Sequence, residues 1–127
     1  PDVAATTRED SGLMTDSLAE PNATHRHVLQ PNQYYTARQF SEAEAAGALN
    51  EASPFKKSVE GGYAAMVAAG STLAQRDVRF FDATQVFDRN PAQMYMDDCC
   101  HYTQAGNYAL ADFIAASILS TPGPWRD

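Results

Sequence analysis

The stretch DVRFFDATQVF, Asp77–Phe87, decides the fold. Its β-branched and aromatic residues suit a strand, and Asp82 falls near that strand's carboxyl end. Upstream, HRHVLQP (residues 25–31) is a short apolar run stopped by Pro31, as expected of a strand leaving a sheet. The segment between them carries helix signals. In FSEAEAAGALNEA, Ser41 and Glu44 form a capping box ahead of a short Ala-rich helix. Ser53 and Pro54 mark a second start, an N-cap followed by a first-turn proline. Phe55, Val59, Tyr63, Met66, Val67 and Leu73 then recur at helical spacing, although Gly61, Gly62 and Gly70 weaken the case for one unbroken helix.

Strands separated by helical crossovers predict a parallel sheet in an α/β layer fold. A sheet of two strands is too thin to protect both faces, so the chain reads as part of a domain. Beyond the second strand, DRNPAQMYMDDCC is loop. The last helix takes Thr103 as its N-cap and is expected to bury Tyr108, Ala111, Ile114, Ala115, Ile118 and Leu119 before TPGPW ends it. Residues 1–24 form a polar lead-in whose one helix-like piece is LMTDSLAE, and residues 25–127 carry the domain portion.

Composition narrows the function classes. With 127 residues and 44% hydrophobic content, one domain is expected. A net charge of −7, nine Lys plus Arg and no basic run argue against a nucleic-acid surface and favour neutral or cationic partners. No apolar run approaches a membrane span, and no basic start followed by an apolar block marks a signal peptide. The chain begins at Pro1 without an initiator Met, as a processed or partial chain would. Localisation stays open, with a secreted or periplasmic site slightly favoured.

The chemistry concentrates in DDCCHYTQAGNYALADFIAASIL, Asp97–Leu119. A histidine used as a general base must be held in one tautomer and reach a nucleophile. Asp98, three residues before His101, is placed to accept the proton on one ring nitrogen and stabilise the imidazolium. This loop follows the second strand, and in open α/β sheets such loops at the carboxyl ends of strands form the functional crevice. A D-x-x-H pair also arises by chance in capping and surface roles.

Other features point less far. Cys99 and Cys100 are the only cysteines, and adjacent residues rarely bridge because disulfide geometry strains the peptide between them. They read as free thiols, or as one thiol paired outside this chain. Cys100 next to His101 is a weak nucleophile candidate, since neighbouring side chains tend to point apart. His25 and His27 share a strand face but have no third ligand at suitable spacing, and Asp97 and Asp98 lack the spaced oxygens a calcium site needs; no metal or other cofactor is expected. Asn22-x-Thr24 matches a glycosylation pattern of low specificity. Gln30 and Asn32 lie where the first strand ends and are candidate substrate-binding residues.

The residues DDCCHYTQAGNYALADFIAASIL resemble the last sequence block of the SGNH (GDSL-type) hydrolases, in which an Asp-x-x-His pair precedes a Thr or Asn, a Gly and an Ala-rich helix. HVLQPNQYY resembles a strand and loop of bacterial members, and SEAE and DVRFFDATQVFD fall in the expected order, so the resemblance spans roughly residues 27 to 120. It implies a three-layer α/β/α flavodoxin-like fold, with this chain covering the C-terminal half. It also implies ester hydrolysis, with His101 as base, Asp98 as its orienting carboxylate, and Gly106 and Asn107 as helix-packing positions. The substrate would be an ester, such as an acylated carbohydrate or lipid. The family's Gly-Asp-Ser block and oxyanion-hole residues have no convincing counterpart here. TDSLAE imitates the serine block at Ser17, and EDSG offers Ser11, but no apolar strand precedes either. The serine and oxyanion hole are therefore expected in an N-terminal part, with that part or a second copy as partner. The alternative is a non-catalytic truncated relative acting as a binding or assembly module, with exposed sheet edge and apolar helix faces.

Overall fold

The structure, a computed structural model, describes residues 2–18, 24–76 and 78–122. Asn22 and the end of TPGPW lie outside the described residues. The two expected strands form: β1 (Arg26–Leu29) and β2 (Arg79–Asp82). They pair in parallel, with Arg26 opposite Arg79, His27 opposite Phe80, Val28 opposite Phe81 and Leu29 opposite Asp82. The Ala83 N–H donates to the Leu29 carbonyl at 2.9 Å, so the pairing continues into the loop after β2. Among the described residues this is the only sheet, and the fold is mixed α/β.

The lead-in is more ordered than its composition suggests. Helix α1 (Val3–Ser17) starts well before LMTDSLAE, with Asp2 as N-cap accepting from the Ala5 N–H at 3.2 Å. Its one buried residue is the polar Ser11, which hides it from a search for apolar periodicity. Ser11 and Thr15, one turn apart on α1, meet the Nδ1 atoms of His27 and His25 at 2.5 and 2.9 Å. Alternation along β1 puts both histidines on one face of the sheet, so a helical spacing of four matches a strand spacing of two.

Helices α2 (Glu42–Ala48) and α3 (Lys56–Ala74) make the crossover between the strands. Helix α3 runs unbroken through all three of its glycines. Gly61 and Gly62 face open space, whereas a Cβ on Gly70 would stand 2.1 Å from Cε1 of Phe80. Gly70 is thus the point where α3 lies directly on the β2 ring. The start of α3 differs from expectation: Phe55 takes the N-cap position without a side-chain cap, and Ser53 turns its hydroxyl to the Asp98 carbonyl at 3.2 Å.

At α2 only half of the capping box forms. The Ser41 hydroxyl accepts from the Glu44 N–H at 3.2 Å, but the Glu44 carboxylate faces inward. Its Oε2 accepts from Arg38 Nε and Nη2 at 3.1 and 2.8 Å, and its Oε1 accepts from the Met94 and Tyr95 N–H groups at 2.7 and 3.0 Å. Arg38 spends its remaining donors on the carbonyls of Phe87, Asn90 and Ala92 at 2.7, 2.6 and 2.5 Å. A guanidinium has five N–H donors, and this network uses them. Burial pushes the Glu44 carboxyl pKa up, yet the Arg38 hydrogen bond and the two amides outweigh it and leave the pKa below its ordinary value. The pair fixes the loop from Phe87 to Tyr95, and with it the approach to the last helix.

Helix α4 (Gln104–Ser120) starts as expected, with the Thr103 hydroxyl accepting from the Gly106 N–H at 3.2 Å. Its inner face is not the expected one. Ala105, Ala109 and Leu110 pack against the cluster of Ala48, Phe87, Met94 and Tyr95. Tyr108 and Leu119 are 63% and 62% exposed, Ala111 and Ala115 are exposed, and Ile114 and Ile118 are half-buried. Gly106 sets this rotation: a Cβ there would stand 2.5 Å from the Met94 carbonyl oxygen and 2.9 Å from Tyr102 Cβ, so the helix touches the core along the Gly106 line. After α4, the Pro122 carbonyl accepts from Arg79 Nη1 at 3.1 Å. No described helix is long and apolar enough to cross a membrane.

Candidate functional site

The loop between Met94 and Thr103 closes on itself before the helix begins. The Met96 N–H donates to the His101 carbonyl and the Thr103 N–H to the Met94 carbonyl, both at 2.9 Å, and Tyr95 bridges Tyr102. Inside this closure the backbone wraps a single carboxylate. Oδ1 of Asp97 accepts from the N–H groups of Cys99, Cys100 and His101 at 3.0, 3.1 and 3.2 Å. Oδ2 of the same side chain meets His101 Nδ1 at 2.5 Å. The His101 hydrogen bond, opposed by desolvation and aided by the three amides, holds the Asp97 carboxyl well below the usual carboxylate range.

The carboxylate that meets the imidazole is therefore Asp97, not Asp98. Asp98 Oδ2 instead accepts from Asn50 Nδ2 at 2.6 Å. Its carbonyl takes the hydroxyls of Tyr34 and Ser53 at 3.0 and 3.2 Å. Gln33 Nε2 donates to the carbonyls of Asp97 and Cys99 at 3.2 and 3.3 Å, and the Tyr102 hydroxyl donates to Pro31 O at 2.6 Å. The site loop is thus fastened to residues 31–34, directly after β1, and to residues 50–53. These contacts place His101 beside the carboxyl ends of the two strands, where a parallel sheet opens its crevice. The ring itself is 68% exposed, and Nε2 has no hydrogen-bond partner among the described residues.

This arrangement can do one thing well: an imidazole pinned at Nδ1 by an ionised carboxylate presents Nε2 to solvent as a proton acceptor. Among the described residues no serine hydroxyl reaches that ring. Ser17 is exposed at the end of α1, and Ser11 is buried against His27 in the middle of the same helix. Neither has the sharp strand-to-helix turn that presents a nucleophilic serine. Asn32 is buried, and its Oδ1 accepts from the Tyr34 N–H at 3.0 Å, closing the turn after β1. Gln30 is exposed. A shallow cavity of about 330 Å³ lies instead against Tyr34, Tyr35, Thr36, Ala37 and Gln85, and shares Tyr34 with the site loop. No group of three His, Cys, Asp or Glu side chains is placed to hold a metal among the described residues. Asn107 Nδ2 donates to the Tyr102 carbonyl at 3.4 Å, at the foot of α4.

No protein-family model, curated protein sequence or solved structure matches this chain.

Proposed function

We propose that this chain carries the base and orienting carboxylate of an SGNH-type serine ester hydrolase with a three-layer α/β/α fold. The observation that carries the reading is the His101–Asp97 contact on a loop at the carboxyl ends of a parallel strand pair, with Nε2 left open. The resemblance of residues 97–119 to the terminal block of those hydrolases supports it independently. The layering is supported by the helix positions: α1 and α3 meet the His27 and Phe80 face of the sheet, while Arg79, on the opposite face by alternation, reaches the end of α4.

In this mechanism a serine supplied by an N-terminal part of the hydrolase attacks the acyl carbon while His101 Nε2 takes its proton. The imidazolium returns that proton to the leaving alcohol, and a water molecule, activated by the same nitrogen, releases the acid. The D-x-x-H spacing assigns the carboxylate to Asp98, but the geometry favours Asp97, with Asp98 anchoring the loop through Asn50. The test is p-nitrophenyl acetate hydrolysis by the native protein, with a serine-directed fluorophosphonate to mark the nucleophile. Activity and label that are both lost in His101→Gln support the reading. Hydrolysis unchanged in that variant removes it.

The exposed stripe of Tyr108, Ala111, Ala115 and Leu119 on α4 favours a second reading, a non-catalytic module that assembles through this face. A monomer by gel filtration, with ester hydrolysis dependent on His101, excludes it.

A further inference from the structure

Cys99 and Cys100 stand at the centre of the site loop, and the base-and-carboxylate reading gives neither a task. Both are free; Cys99 is half-buried and Cys100 exposed. They are consecutive residues, so both thiols belong to the same short turn of the loop. Their backbone is not free to drift, because the N–H groups of Cys99, Cys100 and His101 all converge on Asp97 Oδ1. The carboxylate that holds the two thiols' peptide is also the one that holds His101 Nδ1.

We propose that Cys99 and Cys100 form a reversible dithiol modification site, oxidised to a vicinal disulfide by small-molecule disulfides, and that ring closure displaces His101. The exposed Cys100 reacts first: its thiolate attacks one sulfur of the small disulfide, forming a mixed disulfide and expelling one thiolate. Cys99 then gives its proton to solvent and attacks the Cys100 sulfur, closing the protein disulfide and expelling the second thiolate. Two protein thiols are oxidised, one small disulfide is reduced to two thiols, and the atoms balance. The neighbouring Cys100 thiol first, then burial and the charges of Asp97 and Asp98, raise the Cys99 pKa to about 11, which suits the second, slower role.

The strain of the product makes it a switch rather than a staple. Neighbouring Cα atoms across a trans peptide lie about 3.8 Å apart, below the roughly 4.4–6.8 Å that disulfides usually span. Closing the ring must therefore twist the Cys99–Cys100 peptide, and the Cys100 N–H leaves Asp97 Oδ1. Strained disulfides have more oxidising potentials and are readily reduced again. Because Asp97 joins that peptide to the imidazole, the twist reaches His101 through a single side chain.

The test equilibrates the chain in buffers of graded reduced and oxidised glutathione, quenches with acid, alkylates with N-ethylmaleimide and measures intact mass, while NMR follows the His101 ring protons. Oxidising buffers are expected to give a monomer lighter by two hydrogens that takes up no maleimide, with shifted His101 resonances, both reversed by excess reduced glutathione. Cys99→Ser and Cys100→Ser should give only mixed disulfides and leave the ring resonances in place. Full alkylation at every ratio, glutathione adducts or linked dimers in the unsubstituted chain, or ring closure with His101 unmoved would each overturn the proposal. Mass and resonance are read without any substrate, so a negative result bears on the thiol pair and not on ester hydrolysis.

Discussion

His101 Nδ1 and Asp97 Oδ2 stand 2.5 Å apart, and the other oxygen of that carboxylate closes the loop on three amides. One side chain therefore both orients the base and builds the turn that carries it. Asp97→Asn removes the charge that stabilises an imidazolium and offers one acceptor oxygen where two are used. In the active protein it should lower kcat by about 100-fold or more with little change in KM, the pattern of an interaction made in the transition state. Asp98→Asn keeps the one acceptor oxygen that Asn50 uses and should cost less than about 10-fold. Steady-state kinetics on the two variants decide the matter, and the reverse order would return the orienting role to Asp98.

The Arg38–Glu44 pair is buried on both sides and fully hydrogen-bonded, so its removal and its replacement should differ in cost. Glu44→Ala strands the guanidinium and the Met94 and Tyr95 amides, and should destabilise the chain by about 3–5 kcal/mol in urea denaturation. Adding Arg38→Met to that variant removes the stranded charge and should recover part of the loss. A double variant as unstable as the sum of the two single ones would show that the residues act independently.

Tyr95 offers a gain in the same core. Its side chain is fully buried among Phe40, Phe87 and Tyr102, its hydroxyl has no hydrogen-bond partner, and burial pushes the phenol pKa far up. Tyr95→Phe removes an unsatisfied polar group at the expense of a small void. The expected change is a stabilisation of about 1 kcal/mol, and a loss of that size in thermal or urea unfolding would show that the hydroxyl is satisfied in solution.

How far each element could be read from the sequence follows from the physics that holds it. The strands and the caps at Ser41 and Thr103 are local signals, and they form where those signals stand. Helix α1 escapes because it packs mainly against α3 and its one buried residue is the polar Ser11, so no apolar stripe marks it. The face of α4 differs from the one its apolar spacing predicts because contact with the Met94 carbonyl requires Gly106, so a residue without a side chain fixes the rotation that Tyr108 and Leu119 would otherwise decide. At the site, His101 stands out by its motif, but spacing alone cannot separate Asp97 from Asp98. Asp97 sits one helical turn before His101, yet its selection depends on loop closure and on Gln33, Tyr34, Asn50 and Ser53, which are distant in sequence.

The glycines of α3 separate helix propensity from packing. Gly61→Ala and Gly62→Ala add a methyl group to open space and should each stabilise the chain by about 0.5–1 kcal/mol. Gly70→Ala drives its methyl into the Phe80 ring and should cost about 1–3 kcal/mol despite the same gain in propensity. Thermal unfolding of the three variants should therefore give two shifts of one sign and one of the other. A stabilised Gly70→Ala would mean that α3 does not lie on β2 at this point.

His27 should make the docking of α1 sensitive to acid. Burial first, and the neighbouring His25 second, lower its pKa from the ordinary histidine value, so the neutral ring is the form the fold prefers. The sign follows from proton uptake. On acidification the unfolded chain binds this proton first, near pH 6.5, so the stability contributed by neutral His27 is complete above about that pH. That stability is then lost as pH falls through the lower folded value. Unfolding free energy should thus decline from about pH 7 to about pH 5, before the carboxylates of Glu44 and Asp97 begin to titrate. His27→Gln keeps a side chain able to bond Ser11 but cannot titrate, and its stability should be flat across that window. An equally steep decline in His27→Gln would assign the effect to another group.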